Sequence, residues 1–431
     1  MTEDKRYQLH LGDCLEVMRT MEDNSVDSIV TDAPYGISFM GAAFDTFHED
    51  GVSDNMAFQK AMTPIFAEAL RVAKPGAHLL AFGGTRTYHR LASAIEDAGW
   101  EIRDCCYWVH GQGMPKGLDI SKAIDKHLGA VREKKIIQCG RTSFGLINDD
   151  GFVPHRDVDG DEAVTVEAKK WQGYNTQLKP AVEPIVLARK PLEGTIVENV
   201  LKYGTGAINI DACRVPTEEA VVVHSPARKT LLDSGHKDLG TWENTKGRFP
   251  ANLLHDGSPE VLACFPDGGK SAAPRPVNAN RNGEQSSDVR YTEKGNTNFA
   301  MKPGMRRPPT SPARFFYCAK ASRSERGEGN VHPTVKPLAL MRWCVTLVAP
   351  PDSIVLDPFM GSGSTGIAAL QCGCRFVGIE REPEYMAIAE RRIATALDEP
   401  PQTAADASRG GDAPPSPSPR PPIPQQEELA L

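Results

Sequence analysis

Two short segments of this chain carry residue types that could grip a small cofactor and a flat, amine-bearing ring. In the first, an apolar run is followed by DAPY, which places Asp32 and Tyr35 around a rigid turn at Pro34. A carboxylate at Asp32 would accept a hydrogen bond from an exocyclic amine, and the backbone carbonyl of Ala33 would accept a second. The ring of Tyr35 would stack on a planar substrate. Taken alone, DAPY is more typical of a surface turn.

The second segment is DPFMGSGST, which begins at Asp357, the residue that closes a short apolar run. Gly361 and Gly363 allow a tight turn and a close approach of the backbone to a ligand. Ser364 and Thr365 open a predicted helix, whose first N–H groups are free to bind. The spacing is not G-x-G-x-x-G, and no Gly-Lys-Ser/Thr follows. This argues against a dinucleotide oxidoreductase and against a triphosphate-binding loop.

A second acid follows the glycine segment. Glu380 closes the next apolar run, about 20 residues further on, which is the usual spacing for a carboxylate that accepts from ribose hydroxyls. The alternative is a solvated glutamate at a strand end. The spacing favours a ligand that carries a nucleoside.

The elements that must position these segments alternate between strands and helices. Apolar runs predict strands at 7–11, 26–30, 77–82, 100–109, 183–188, 353–356 and 375–379. Helical spacing predicts helices at 14–18, 63–72, 88–98, 121–128, 338–348, 364–371 and 384–396. This alternation indicates βαβ units, and therefore an α/β fold with a mainly parallel sheet.

The chain divides into four predicted parts. Residues 1–210 hold the DAPY turn and 331–398 hold the glycine segment, as two halves of one domain. Between them, 211–330 has little periodic signal and is too long for an ordinary loop, so we expect an insertion with some structure of its own. Residues 399–431 include nine prolines and predict a disordered tail.

Charge is unevenly distributed along the chain. The net charge is −7, yet 211–330 contains 18 Lys and Arg against 14 Asp and Glu. From Lys302 to Arg326 the count is seven against one. Such a stretch suits a polyanionic partner at one surface, although a solvated loop is the plainer alternative.

The remaining composition excludes several classes of protein. The ten cysteines form no C-x-x-C pair, which disfavours a zinc site. The N-terminal sequence is polar, and no apolar run approaches the length that crosses a bilayer. We therefore expect a cytoplasmic protein with reduced thiols and no membrane contact.

Together these motifs resemble those of the amino-group DNA methyltransferases that use S-adenosylmethionine. HPTVKP at 332–337 and LGDC at 11–14 add to the likeness. The resemblance implies a Rossmann-like methyltransferase fold, a mostly parallel twisted sheet with helices on both faces, plus an inserted target-recognition region at 211–330. The DAPY turn precedes the glycine segment, which is the order of the permuted β group.

The resemblance also implies a cofactor site. Asp13 would contact the adenine, Glu380 the ribose, and Asp357 the amino group of the methionine moiety. The other residues expected around S-adenosylmethionine are Phe359, Gly361, Gly363, Ser364, Thr365 and, from HPTVKP, Lys336. No metal is expected.

By the same resemblance, Asp32, Ala33, Pro34 and Tyr35 would hold the target base after it has left the double-stranded DNA. The basic residues expected on the DNA are Arg306, Arg307 and Arg314. Aspartate at the first position of the turn favours adenine N6 over cytosine N4.

The family usually has a second proline where this chain has Ala33, so a catalytically weakened DNA-binding relative stays open as a second interpretation. The motifs are also compatible with a cytosine N4 enzyme and with a methyltransferase that acts on RNA or on a protein amide. The sequence also leaves open a restriction endonuclease partner and a monomeric or homodimeric state.

Overall fold

The structure is a computed structural model. It describes residues 6–38, 45–48, 54–111, 113, 117–138, 155–217, 221–224, 241–244, 247–265, 312–319, 330, 332 and 335–397. The predicted proline-rich tail at 399–431 lies outside these residues.

Strands and helices alternate along the described chain. The strands are β1 (Tyr7–Leu11), β2 (Val26–Thr31), β3 (Ala73–Phe82), β4 (Glu101–Val109), β5 (Lys134–Gln138), β6 (His155–Asp159), β7 (Val182–Arg189), β8 (Val221–His224), β9 (Thr241–Asn244), β10 (Leu253–His255), β11 (Tyr317–Cys318), β12 (Ile354–Asp357) and β13 (Arg375–Glu380). The helices are α1 (Cys14–Arg19), α2 (Asp54–Val72), α3 (Tyr88–Asp97), α4 (Ile120–His127), α5 (Val166–Lys170), α6 (Ile196–Tyr203), α7 (Pro259–Ala263), α8 (Leu338–Val348), α9 (Ser364–Gln371) and α10 (Pro383–Leu397).

Nine of these strands form one sheet, in the order β1-β13-β12-β2-β3-β7-β4-β10-β11. Only β7 runs antiparallel to its neighbours β3 and β4, while every other pair in the sheet is parallel. The predicted α/β fold with a mostly parallel sheet is therefore confirmed.

The sheet is buried on both faces. Along β3, Leu80 and Phe82 point into a core shared with α8, α9 and α10. Leu79 and Ala81 point the opposite way, into a core shared with α1, α2 and α3. Because side chains of a strand alternate between faces, one apolar run fills both cores. Helices cover both faces, as the Rossmann-like fold requires.

The strand order reverses between β12 and β2. From β12 the chain passes through α9, on one face, to β13. From β2 it passes through α2, on the other face, to β3. At such a switch point the two connections diverge and leave a crevice at the carboxyl ends of the strands, where open α/β sheets bind ligands.

Part of the predicted insertion belongs to this sheet. The strands β10 and β11 extend it beyond β4, and Tyr317 of β11 is buried in the core. The strands β8 and β9 pair with each other in a separate hairpin. The division of the chain at 210 and 330 stays a prediction.

None of the helices in the described part of the chain is both long and apolar enough to span a membrane.

Candidate active site

The DAPY turn and the glycine turn leave neighbouring strands at the switch point. Thr31 ends β2 and Asp357 ends β12, and these strands pair in parallel. The Thr31 hydroxyl donates a hydrogen bond to Asp357 Oδ1 over 2.6 Å, in a buried position. The two segments therefore share one crevice, although more than 300 residues separate them in sequence.

One oxygen of the Asp32 carboxylate has a hydrogen-bond partner among the described residues, and the other has none. Oδ2 accepts a hydrogen bond from Lys336 Nζ at 2.7 Å. Oδ1 is buried and has no hydrogen-bond partner among the described residues. Because a buried acceptor without a donor is costly, this oxygen suits a ligand that brings an N–H or O–H group.

Tyr35 is held by polar partners at its hydroxyl and by close packing at its ring. Its hydroxyl lies 3.1 Å from Glu183 Oε2 and 3.1 Å from Lys336 Nζ. A Cβ atom added to Gly84 would lie 3.0 Å from the ring, so a side chain there would push against it. Burial, followed by the charges of Asp32 and Glu183, raises the pKa of Tyr35 well above its usual value. The phenol therefore remains protonated at neutral pH.

Asp45, which the sequence analysis missed, holds the backbone of the DAPY turn. Its carboxylate is 2% exposed and accepts from the backbone N–H groups of Tyr35 and Gly36, each at 2.7 Å. A third backbone N–H, that of Ile37, donates to it at 3.2 Å. Asp45 lies in a stretch without periodic pattern, so no local signal pointed to it.

Lys336 was expected beside the cofactor, and the structure places its ammonium on the DAPY turn. Besides Asp32, it pairs with Glu183 Oε2 at 3.2 Å. Burial alone would lower the pKa of Lys336, but the carboxylates of Asp32 and Glu183 outweigh it and raise the pKa above its usual value. The buried ammonium is therefore charged, and contact between Lys336 and a cofactor stays a prediction.

The glycine turn requires glycine at both predicted positions. Gly361 and Gly363 have φ angles of 54° and 83°, in the left-handed region. A Cβ atom on Gly361 would lie 2.9 Å from His332 Nε2, and one on Gly363 would lie 3.0 Å from Ile393 Cδ1. Both positions therefore favour glycine, and the turn is held by its own hydrogen bonds, including that from the Gly363 N–H to the Met360 carbonyl at 3.0 Å.

Asp357 is a buried carboxylate inside this turn. It is 1% exposed and accepts from Thr31, from the Thr365 hydroxyl at 2.6 Å and from the Phe359 N–H at 3.0 Å. Burial raises the pKa of Asp357 to about 6, although these hydrogen bonds oppose the change. At pH 7 to 8 the carboxylate is thus ionised in a site that disfavours its charge.

Two further acids lie at the adjacent ends of β1 and β13. Asp13 follows β1 and caps α1 by accepting from the Leu15 N–H at 2.9 Å. Glu380 ends β13 and accepts from the Gly361 N–H at 2.8 Å, and burial raises its pKa. Each carboxylate retains lone pairs beyond these bonds, so the pair suits the hydroxyl and amino groups of a nucleoside.

The predicted DNA-binding arginines are only partly covered by the structure. Arg314 lies in a 3₁₀ helix, Pro312–Phe315, directly before β11. Arg306 and Arg307 lie outside the described residues. Their contact with DNA stays a prediction.

Comparison with known families identifies the class of this chain. A family model described as DNA methylase, of the N6 and N4 type, matches residues 26–391. The chain therefore belongs to this family of amino-group DNA methyltransferases, whose methyl donor is S-adenosylmethionine. The family resemblance found in the sequence is thereby confirmed.

Individual relatives match shorter stretches. YubD of Escherichia coli strain K12, which is named as a methylase, is 46% identical over 63 residues, covering 15% of this chain and 28% of its own. The type II methyltransferase M2.LlaDCHI of Lactococcus lactis subsp. cremoris is 39% identical over 71 residues, covering 16% and 26%. The matched segments therefore span little more than a quarter of either relative. Among solved structures, the cytosine-N4-specific PvuII DNA methyltransferase is 13% identical, with a TM-score of 0.44 over 95% of this chain and 94% of that one.

Proposed function

We propose that this protein transfers a methyl group from S-adenosylmethionine to the exocyclic amine of a DNA base, adenine N6 in preference to cytosine N4. The single observation that carries the proposal is Asp32 Oδ1, a buried carboxylate oxygen without a donor in the described structure, directly after β2, which pairs with the strand that leads into the glycine turn. Family membership supports the same chemistry.

The proposed cofactor-binding site consists of the glycine turn and the acids around it. The carboxylates of Asp13 and Glu380 would accept from the nucleoside, and Asp357 would face the cationic amino group of the methionine moiety. Gly361 and Gly363 allow the tight turn, because the backbone there has left-handed φ angles of 54° and 83°. When bound, S-adenosylmethionine supplies an electrophilic methyl group on a sulfonium centre.

The DAPY turn would receive the base. An amine within a duplex is inaccessible, so the base must leave the stack, at a cost of a few kcal/mol. Asp32 Oδ1 would accept one amine hydrogen and the Ala33 carbonyl the other, while the ring of Tyr35 stacks on the base. Asp45 fixes the backbone that carries all of these groups.

The chemical contribution of Asp32 is electrostatic. As the amine nitrogen forms its new bond, positive charge develops on it, and a fixed carboxylate stabilises this charge more than it stabilises the neutral amine. This preference for the transition state increases the rate rather than only tightening binding. Asp32 does not need to reorient during the reaction, because Lys336 already holds its other oxygen.

The experiment incubates the full chain with tritiated S-adenosylmethionine and unmethylated DNA from a methylation-deficient host, with RNA and protein as parallel acceptors. The DNA is then hydrolysed and its nucleosides are separated. We expect label in N6-methyladenine. Label in N4-methylcytosine would correct the base, label in RNA or protein would correct the substrate, and no label in any acceptor would overturn the enzyme assignment.

A further inference from the structure

A buried charge cluster lies behind the DAPY turn. It comprises the carboxylates of Asp32 and Glu183 and the ammonium of Lys336, joined by contacts of 2.7 Å and 3.2 Å. The Tyr35 hydroxyl donates to the same Glu183 oxygen that faces Lys336. With Tyr35 protonated, the formal charge of the cluster is one negative, because two carboxylates share one ammonium.

His110 is a further titratable side chain beside this cluster. Its Nε2 lies 3.9 Å from Glu183 Oε1 and has no hydrogen-bond partner among the described residues. The ring stacks on Trp108 at 4.8 Å between centroids. Burial lowers the pKa of His110, the carboxylates oppose this, and the net direction is downward. A neutral His110 leaves the negative charge of the cluster in place.

The second carboxylate determines what Asp32 can do. If Lys336 contacted Asp32 alone, its positive charge would largely neutralise the Asp32 carboxylate. Little negative charge would then remain to stabilise the positive charge that develops on the amine. Glu183 contacts the same ammonium from β7 and divides its charge between two acids. The cluster therefore buries one more negative than positive charge, which costs stability. Such a cost is expected at a functional site and not in an ion pair that only stabilises the fold.

We propose that Glu183 is a positioning residue for methyl transfer: by sharing Lys336, it keeps Asp32 oriented and negatively charged towards the target amine. This inference rests on the proposed function and adds to it a residue from a third strand. Its prediction is specific to charge, since glutamine at 183 can still accept hydrogen bonds from Lys336 and Tyr35.

The first test is Glu183→Gln, assayed for steady-state methylation of unmethylated host DNA and for S-adenosylmethionine binding by calorimetry. We expect kcat to fall about tenfold or more, less than the ~10²–10³-fold that loss of a directly contacting group costs. The KM for DNA and the cofactor Kd should stay near the wild-type values. Glu183→Asp, which keeps the charge, should retain more activity than Glu183→Gln.

The matched control is Glu101→Gln. Glu101 of β4 pairs with Arg189 of β7 at 2.6 Å, at the opposite end of the β4–β7 ladder from Glu183. This variant should keep the wild-type kcat, which separates the loss of a sheet ion pair from the loss of charge at the site.

A further test asks whether Glu183 acts through Lys336. Lys336→Met removes the ammonium that holds Asp32, so its kcat should fall. Once that ammonium is gone, the further change Glu183→Gln should lower kcat much less than it does in the wild type. A double variant in which Glu183→Gln costs as much as it does alone, or a Glu183→Gln variant with wild-type kcat, overturns the inference. An inactive wild-type protein would instead overturn the proposed function.

Discussion

Replacing Asp357 by asparagine should make the ligand-free protein more stable while weakening its cofactor site. The Asp357 carboxylate is 1% exposed, and burial raises its pKa from the usual 3.8 to about 6. Each pKa unit is worth about 1.4 kcal/mol, so ionising this group in the folded state costs about 3 kcal/mol relative to the unfolded chain. Asparagine avoids this cost. Its amide nitrogen cannot accept a hydrogen bond, however, so one of the three donors loses its acceptor, which lowers the free energy of unfolding by about 1 kcal/mol. The net expectation is a gain of about 2 kcal/mol at pH 8.

The raised pKa of Asp357 determines how the stability difference between the wild type and the variant changes with pH. Below pH 3.8 both states of the wild type hold the proton and Asp357 contributes no difference. As pH rises towards 6 the unfolded state loses its proton first, so wild-type stability falls, and above about pH 6 the full cost is present. Asparagine does not titrate, so its advantage should grow from pH 4 to pH 7 and then level off.

The assay is equilibrium unfolding in urea from pH 4 to pH 8 without cofactor, together with calorimetry of S-adenosylmethionine binding. The wild type and Asp357→Asn should diverge as the pH rises, and the variant should bind the cofactor more weakly. A variant no more stable than the wild type at pH 8 would refute the argument that burial of this charge destabilises the fold.

Three further predictions concern Asp32 in the DAPY turn, the glycine turn and the arginines expected to bind DNA. Asp32→Ala should lower kcat by about 10³-fold, the upper range for loss of one preorganised group, with cofactor Kd near normal; substantial turnover would remove Asp32 from its role. Gly363→Ala should destabilise the fold by at least 1–2 kcal/mol, because φ is 83° and the new Cβ lies 3.0 Å from a neighbouring side chain; urea unfolding measures this, and an unchanged midpoint would contradict it. Neutralising Arg306, Arg307 and Arg314 should weaken duplex binding and flatten its dependence on salt; an unchanged slope in fluorescence anisotropy would place the DNA surface elsewhere.

Local patterns predicted the sheet and both turns because their signals lie within a few residues. An apolar run before DAPY predicts β2, and a glycine-rich turn after β12 predicts the start of α9. The parallel arrangement then brings their carboxyl ends together, as the Thr31–Asp357 hydrogen bond shows. Periodicity was less informative for α2, which begins at Asp54 rather than near 63 and runs through Pro64, a residue more typical of a first helical turn.

Long-range partners left no comparable signal. Glu183 is, in sequence, only the first residue of a predicted strand, and its role depends on Lys336 arriving from the other half of the chain. Lys336 itself was assigned to the cofactor from its motif, whereas packing directs its ammonium to Asp32. The strands β10 and β11 have three and two residues, too few to establish a period.

The Asp45 carboxylate determines how the DAPY turn keeps its shape. A second proline, which the family usually has at this position, would stiffen the turn through its ring. Here Ala33 is packed in the core, and the hydrogen bonds to Asp45 hold the turn instead. Removing the Asp45 carboxylate would leave three backbone N–H groups of the turn without their acceptor, so the turn would loosen while the side chains of Asp32 and Tyr35 stay chemically unchanged.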